Sequence, residues 1–443
     1  MHHTLDQLRR SELAGIRRLN LASNLTEFPV EIFDLADSLE TLDLSNNQLS
    51  HLPDDLPRLH RLQRLFVSNN NFEIVPDVLS QCPQLSMIAF KGNRLNTLPE
   101  NALPPRTRWL ILTDNRLESL PSSIGSLSHL QKLSLAGNQL RSLPQQLANC
   151  NQLEFIRLAA NQLHELPTWL LSLPRLTWLG YAGNPFCDGW SEQISPQTPL
   201  PYIDWHQLVL SDVLGQGASG VISRGIWKTK GGEVEVAVKI FKGEVTSDGY
   251  PVDEVQACLA AGNHGNLISP LGQVSNHPDQ KTGLVFPLVP ADYQSLGDPP
   301  SLESCTRDTY VSQTCFSLVA VLQIATDIAA AVTHLHQRGI LHGDLYAHNI
   351  LTNHQNRALL GDFGAASFYP KSLGSRLEAT EVRAFGCLLE ELLGYCPEWN
   401  IMPSHPLGTS LDQLRRECME VMPDQRPSFE AILNRLQGAR QPH

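Results

Sequence analysis

Leucines recur through the first half of the chain in pairs one residue apart, with an asparagine three positions after the second leucine and a further leucine two beyond, the frame LxLxxNxL. It is plain at Leu42, Leu44, Asn47 and Leu49, and again at Leu133, Leu135, Asn138 and Leu140. The asparagines stand at Asn24, Asn47, Asn70, Asn93, Asn115, Asn138, Asn161 and Asn184, at intervals of 23 residues except one of 22. A Leu-Pro pair follows at Leu52-Pro53, Leu98-Pro99, Leu120-Pro121, Leu143-Pro144 and Leu166-Pro167. The alternation predicts a short strand with both leucines on one face. The asparagine can bond backbone groups of the adjacent turn, and the proline ends strand pairing and sends the chain across the far side. No single unit can bury its own leucines, so eight units from about Ile16 to Phe186 are expected to stack. The first is one residue short between Asn24 and Leu25, as suits a terminal unit.

Residues flanking the leucines project to the opposite, concave face: Phe66, Trp109, Phe155 and Trp178, beside Arg18, Arg64, Lys91, Lys132 and Arg157. Aromatic rings beside cations predict a surface that docks a protein substrate or partner. The competing reading is that the rings fold over their neighbours and cover the sheet.

The repeat lapses after Phe186. Pro196, Pro199 and Pro201 predict a short, fairly stiff linker over 191–201, between a first domain at 1–190 and a second at 202–443. Apolar alternation resumes at Ile203 and leads to Gly215, Gly217 and Gly220, followed by a returning strand over Val221–Trp227. Val236-Ala237-Val238-Lys239 predicts another strand, which delivers one lysine. The Ala- and Leu-rich stretch from Phe316 to Arg338 predicts a helix ended by Gly339.

A chain of 443 residues with 42% apolar content has room for two packed domains. Its net charge of −12 argues against nucleic acid as a partner. The start lacks the basic and long apolar regions of a leader, and no run approaches the roughly 18 apolar residues of a span, so a cytoplasmic protein without a membrane span is expected. Nine cysteines without a CxxC pair predict reduced, mostly buried thiols.

The chemistry concentrates in the second half. His342-Gly343-Asp344-Leu345-Tyr346-Ala347-His348-Asn349, then Asp362-Phe363-Gly364, sets a candidate base, Asp344, at a spacing from two candidate Mg²⁺ ligands, Asn349 and Asp362, that suits phosphoryl transfer. The glycine loop alone is weak, since dinucleotide folds use similar glycines. Here a strand follows it instead of a helix, which indicates a hairpin over nucleotide phosphates with Lys239 as the charge upon them.

On these motifs the first half resembles the leucine-rich repeat family, with an LPx pattern that suggests a bacterial source. The second, over about Tyr202 to Leu436, resembles the protein kinases, most of all the tyrosine-kinase-like branch. The expected fold class is an α/β solenoid of eight leucine-rich repeats followed by a two-lobed α+β protein kinase fold. The resemblance implies that Lys239 pairs with Glu254, with Glu244 as a weaker rival. It further implies that Gly215, Gly217, Gly220, Ile222, Ala237 and Leu351 surround ATP, that Phe286 guards the adenine hinge, and that Arg426-Pro427-Ser428-Phe429 closes the helical lobe. It makes the protein an ATP- and Mg²⁺-dependent kinase acting on Ser or Thr.

The sequence departs from that pattern at several points. The arginine before the base is Gly343, so none stands there to grip a phosphorylated activation loop. The lysine expected two residues after the base is Tyr346, and the arginine that tyrosine kinases carry four after it is His348, a substitute only when protonated or donating. The activation segment is short, with no Ala-Pro-Glu, so Arg426 is expected to pair with Glu378 or Glu381. His-Gly-Asp-Leu is also similar to the aminoglycoside and choline phosphotransferases, which keeps a small-molecule acceptor open, and a catalytically weak scaffold is the third reading.

Overall fold

A computed structural model describes residues 2–190, 200–217, 219–243, 245–246 and 248–440. The expected linker lies outside these except for its last two residues, and Glu244 lies outside as well.

Each LxL forms the expected strand: β1 Arg18–Asn20, β2 Thr41–Asp43, β3 Arg64–Phe66, β4 Met87–Ala89, β5 Trp109–Ile111, β6 Lys132–Ser134, β7 Phe155–Arg157 and β8 Trp178–Gly180. The first seven form a sheet in chain order, with parallel pairing in register from β1 to β7. Both leucines of each pair are buried, as Leu42 and Leu44, or Leu133 and Leu135, each at 0% exposure. The asparagine ties successive turns together. Asn70 donates Nδ2 to the carbonyls of Leu44 and Val67, both at 3.0 Å, and accepts the Leu49 amide at 2.9 Å. Asn24, in the shortened first unit, is exposed and left-handed at φ +52°.

The far side of the repeats departs from the expected α/β class. It carries 3-10 helices, among them Val30–Leu35, Asp77–Gln81, Ser122–Ser126 and Gln145–Asn149, each entered from a proline. The strand, asparagine turn and Leu-Pro leave only a few residues for the crossing. Such a stretch accommodates a tight 3-10 turn and is too short for an α-helix to nucleate. The one α-helix among the described residues before the second domain is α1, Leu5–Arg9.

The concave face is less open than expected. Phe155 and Arg157 are 7% and 2% exposed, and Trp178, at 1%, belongs to the second compact unit. Lys132 Nζ sits 4.8 Å from the Trp109 ring centre and 4.4 Å from that of Phe155, so the rings partly cover their neighbours.

The chain divides into two compact units, Met1–Leu176 with Asn184–Phe186, and Thr177–Gly183 with Cys187–His443. In the second, β9 Tyr202–Asp204, β10 Leu208–Gln216, β11 Gly220–Thr229, β12 Gly232–Phe241, β13 Gly272–Ser275 and β14 Gly283–Pro287 form a sheet ordered β10-β11-β12-β14-β13-β9. Ile203, Leu208, Val236, Val238, Val274 and Val285 make its core. Helix α2, Pro251–Ala261, starts with proline at its first turn, where no amide partner is needed.

The helical part contains α3 Leu318–Gln337, α4 Gly374–Gly394, α5 Pro397–Ile401, α6 Pro406–Cys418 and α7 Phe429–Gly438. Ser317 caps α3 by accepting the Ala320 amide, and Gly339 stops it at φ +66°. By length and composition α3 could cross a membrane, but 78% of its apolar window is buried within the protein, as expected of a core helix.

Candidate functional site

On β12 the side chains alternate. Val236 and Val238 enter the sheet core, so Ala237 and Lys239 face the other way, into a cavity of about 450 Å³. Ile222, Glu254, Leu351 and Asp362 also line it, with Phe286, Pro287, Leu288 and Val289 along one edge. Gly215 lies near the end of β10, Gly217 in the turn and Gly220 at the start of β11, all outside that lining. Gly220 must be glycine for reasons of space, since a Cβ there would fall 2.7 Å from the Ile240 carbonyl oxygen.

Lys239 and Glu254 are brought together. Nζ is 2.5 Å from Glu254 Oε1 and 3.7 Å from Asp362 Oδ1, with Lys239 and Glu254 both buried. Burial works against the lysine charge, but Asp362 and Glu254 outweigh it and hold the ammonium above its ordinary pKa. Burial pushes the Glu254 carboxyl up while Lys239 pulls it back.

The loop from His342 to Asn349 leaves a short strand, Ile340–Leu341, and ends in a single 3-10 turn, Ala347–Asn349. His342 is fully buried. Its Nε2 lies 2.9 Å from the Gly361 carbonyl and its Nδ1 accepts the Asp344 amide at 3.3 Å, which selects the Nε2-protonated tautomer. Asn349 donates Nδ2 to the Asp344 backbone carbonyl at 2.9 Å and to its Oδ2 at 3.0 Å. That commits its nitrogen and leaves the amide oxygen to act as a ligand. Asp362 is left-handed at φ +54°, and its Oδ1 accepts the Gly364 amide at 3.2 Å.

His348 is not a loose surface group. Its Nδ1 is 2.7 Å from Asp308 Oδ1, and its amide donates to Asp308 Oδ2 at 2.9 Å. Burial disfavours its charge, but the bond to Asp308 and that acid's charge prevail and raise the imidazole pKa. Asp308 was invisible to motif reading, since nothing in its sequence neighbourhood announces a partner 40 residues on.

The expected pairing of Arg426 with Glu378 or Glu381 is not what forms. Arg426 donates Nε to the Glu420 carbonyl and Nη1 to that of Ala379. Glu381 is instead engaged by the Gly343 amide and by His336 Nε2, both at 2.7 Å, and Glu378 by the Tyr369 hydroxyl at 2.7 Å. The acid of α4 thus holds the backbone of the loop, and the arginine finds carbonyls to satisfy it.

Residues 208–385 match the family described as protein tyrosine and serine/threonine kinase, and residues 14–72, 37–95 and 105–163 match the leucine rich repeat family. The chain is similar to fibroblast growth factor receptor 1 of Xenopus laevis and of Pleurodeles waltl, at 26% identity over 313 residues in each case. Each alignment covers 58% of this chain and 38% of the receptor, so the chain spans well under half the length of these relatives. Leucine-rich repeats are thus joined to a protein kinase domain in one chain. Both relatives are amphibian, and the bacterial source suggested by the LPx repeats gains no support from them.

Proposed function

We propose that the chain is an ATP-dependent protein kinase that phosphorylates Ser or Thr, with its repeats recruiting the protein substrate or a partner. The observation that carries this reading is the buried Lys239–Glu254 pair, with Asp362 3.7 Å from the same ammonium, at the edge of an apolar cavity. Such a cavity suits a purine, and the lysine supplies charge for its phosphates. The family description spans both hydroxyl classes, so the Ser/Thr choice rests on resemblance to the tyrosine-kinase-like branch.

The residues fit magnesium. Among the described residues no group of three or more His, Cys, Asp or Glu could form a closed metal site. Two hard oxygens, from Asn349 and Asp362, suit an ion that takes its other ligands from phosphate and water. Bound there, Mg²⁺ would neutralise phosphate charge. Asp344, held through its carbonyl and carboxylate by Asn349, orients the acceptor hydroxyl and takes its proton.

The test is labelled phosphate transfer from Mg-ATP into a cell lysate by the full chain and by Asp344→Asn. The wild type should label protein at least about 100-fold faster than the variant, with phosphoserine or phosphothreonine recovered after hydrolysis. Labelling at the same rate by both proteins would end the kinase reading. Label confined to small molecules would favour the small-molecule phosphotransferase.

A further inference from the structure

Two of the departures from the kinase pattern, Gly343 and Tyr346, face the same short segment, Thr177–Gly183, which belongs to the kinase-bearing unit. The Trp178 ring stacks on Tyr346 with centres 4.2 Å apart and planes within 5°, and its Nε1 donates to the Leu345 carbonyl at 3.1 Å. Trp178 and Tyr346 are 1% and 5% exposed. At Gly343 the Leu179 carbonyl oxygen lies only 2.7 Å from where a Cβ would stand. Further along, the Tyr181 amide donates to Ser367 Oγ at 3.3 Å and its hydroxyl to the Phe368 carbonyl at 3.1 Å. Gly183 abuts Tyr250 and Asp253, at the start of the helix that carries Glu254.

We propose that Thr177–Gly183 is a built-in strut, with Trp178 and Tyr181 as positioning residues that hold the loop bearing Asp344 and the segment after Asp362 in place for phosphoryl transfer. This rests on the kinase reading above. Arginine is absent before Asp344, so a phosphorylated activation loop has no grip there, and the loop needs another constraint. The strut supplies one, and it lies where a side chain at 343 would project. Leu345, whose carbonyl Trp178 holds, directly follows the candidate base, and Phe368 lies six residues beyond Asp362. A displacement of about 1 Å at such a loop is enough to lower turnover by about two orders of magnitude without touching nucleotide affinity. Glycine and an aromatic residue at 343 and 346 are therefore what a loop lying against this segment requires. The first lets a backbone carbonyl pass, and the second offers a flat face to an indole.

The experiment uses the full chain and measures kcat and KM with casein as acceptor, together with the thermal shift given by Mg-ATP. Trp178→Ala should lower kcat at least about tenfold while leaving the Mg-ATP shift in place, and Trp178→Phe, which keeps a ring against Tyr346, should recover most of the loss. Tyr346→Ala should lose part of what Trp178→Ala loses, since the indole also holds the Leu345 carbonyl, and the double variant should lose no more than Trp178→Ala alone. A folded Trp178→Ala protein with wild-type kcat overturns the proposal, as does additive loss in the double variant. If Trp178→Ala does not fold, Tyr181→Phe carries the test, with a reduced kcat expected and an unchanged one overturning. If the wild type transfers no phosphate at all, the kinase reading fails, and the strut is judged by amide hydrogen exchange over Leu345–Asn349. Faster exchange in Trp178→Ala supports it, and unchanged exchange overturns it.

Discussion

Restoring even a methyl group at position 343 should damage the protein. Gly343 sits at φ +74°, where an L residue costs about 1–2 kcal/mol. A Cβ there would stand 2.6 Å from the Ala365 carbonyl oxygen and 2.7 Å from that of Leu179. Both are backbone atoms, so no side chain can rotate aside, and overpacking of this kind costs about 1–3 kcal/mol more. The combined loss for Gly343→Ala is about 2–5 kcal/mol, which for a domain of this size lowers the melting temperature by on the order of 10 °C. The Gly343 amide also donates to Glu381, so relief by moving the backbone would strain that 2.7 Å bond. Calorimetry of the full chain, following the transition that Mg-ATP shifts, reads the effect directly. An alanine variant that melts within about 2 °C of wild type and keeps its kcat would show that the loop has slack, and the steric reasoning would be wrong. The same geometry makes Gly343→Arg worse, so installing the arginine of the kinase pattern should not create control by phosphorylation.

In the repeats, Asn115→Ala should destabilise by about 1–3 kcal/mol, measured by urea unfolding. It leaves the Leu95 amide without its acceptor, and it removes one of two donors from each of the Phe90 and Leu112 carbonyls, which Asn93 and Asn138 still hold. Asp253→Asn should stabilise near neutral pH, because burial raises the carboxyl from 3.8 to about 6 while a backbone bond from Tyr250 pulls the other way. The folded state then holds the proton more tightly than the unfolded one, and ionisation lowers stability as pH rises from about 4 to about 6. The amide avoids that loss, so a gain of about 1–2 kcal/mol is expected at pH 7 and none at pH 4, and equal gains at both would exclude a titration effect. Lys239→Met should abolish the Mg-ATP thermal shift as well as turnover, since it leaves Glu254 and Asp362 facing each other without a cation; an intact shift would contradict the assigned role.

The repeats were legible because their determinants are local: two leucines, an asparagine and a proline fix a strand, a turn and a crossing. The 3-10 helices were not, since the choice against an α-helix depends on how little chain the crossing leaves. In the kinase unit, Lys239, Asp344, Asn349 and Asp362 could be located by spacing and Glu254 by the resemblance to the kinases, and the structure brings Lys239 to Glu254 and Asp362, and Asn349 to Asp344. Partners distant in sequence stayed hidden. Asp308 gave no sign of its bond to His348, and Arg426 was expected on Glu378 or Glu381, whose oxygens go to Tyr369 and to Gly343 and His336. Gly343 and Tyr346 read as losses of machinery until Leu179 and Trp178 were seen against them.

That juxtaposition bears on how recruitment by the repeats can be tested. Deleting residues 1 to 190 would be the natural way to ask whether the repeats choose the substrate, but it also removes Trp178 and Tyr181, which contact the kinase loops. Loss of phosphorylation after that cut could come from a missing dock or from a loosened loop. Substitutions in the first unit separate the two. Trp109, whose ring lies 4.8 Å from Lys132 Nζ, and Phe66 are partly exposed on repeat strands outside the Thr177–Gly183 segment. If the concave face recruits, the double variant Phe66→Ala/Trp109→Ala should raise KM for the true protein substrate about tenfold or more and leave kcat on casein unchanged, because only ground-state binding is lost. Trp178→Ala should do the reverse, lowering kcat on both acceptors by the same factor. Equal KM values for the wild type and the double variant would remove the concave face from substrate choice, whatever the truncated chain does.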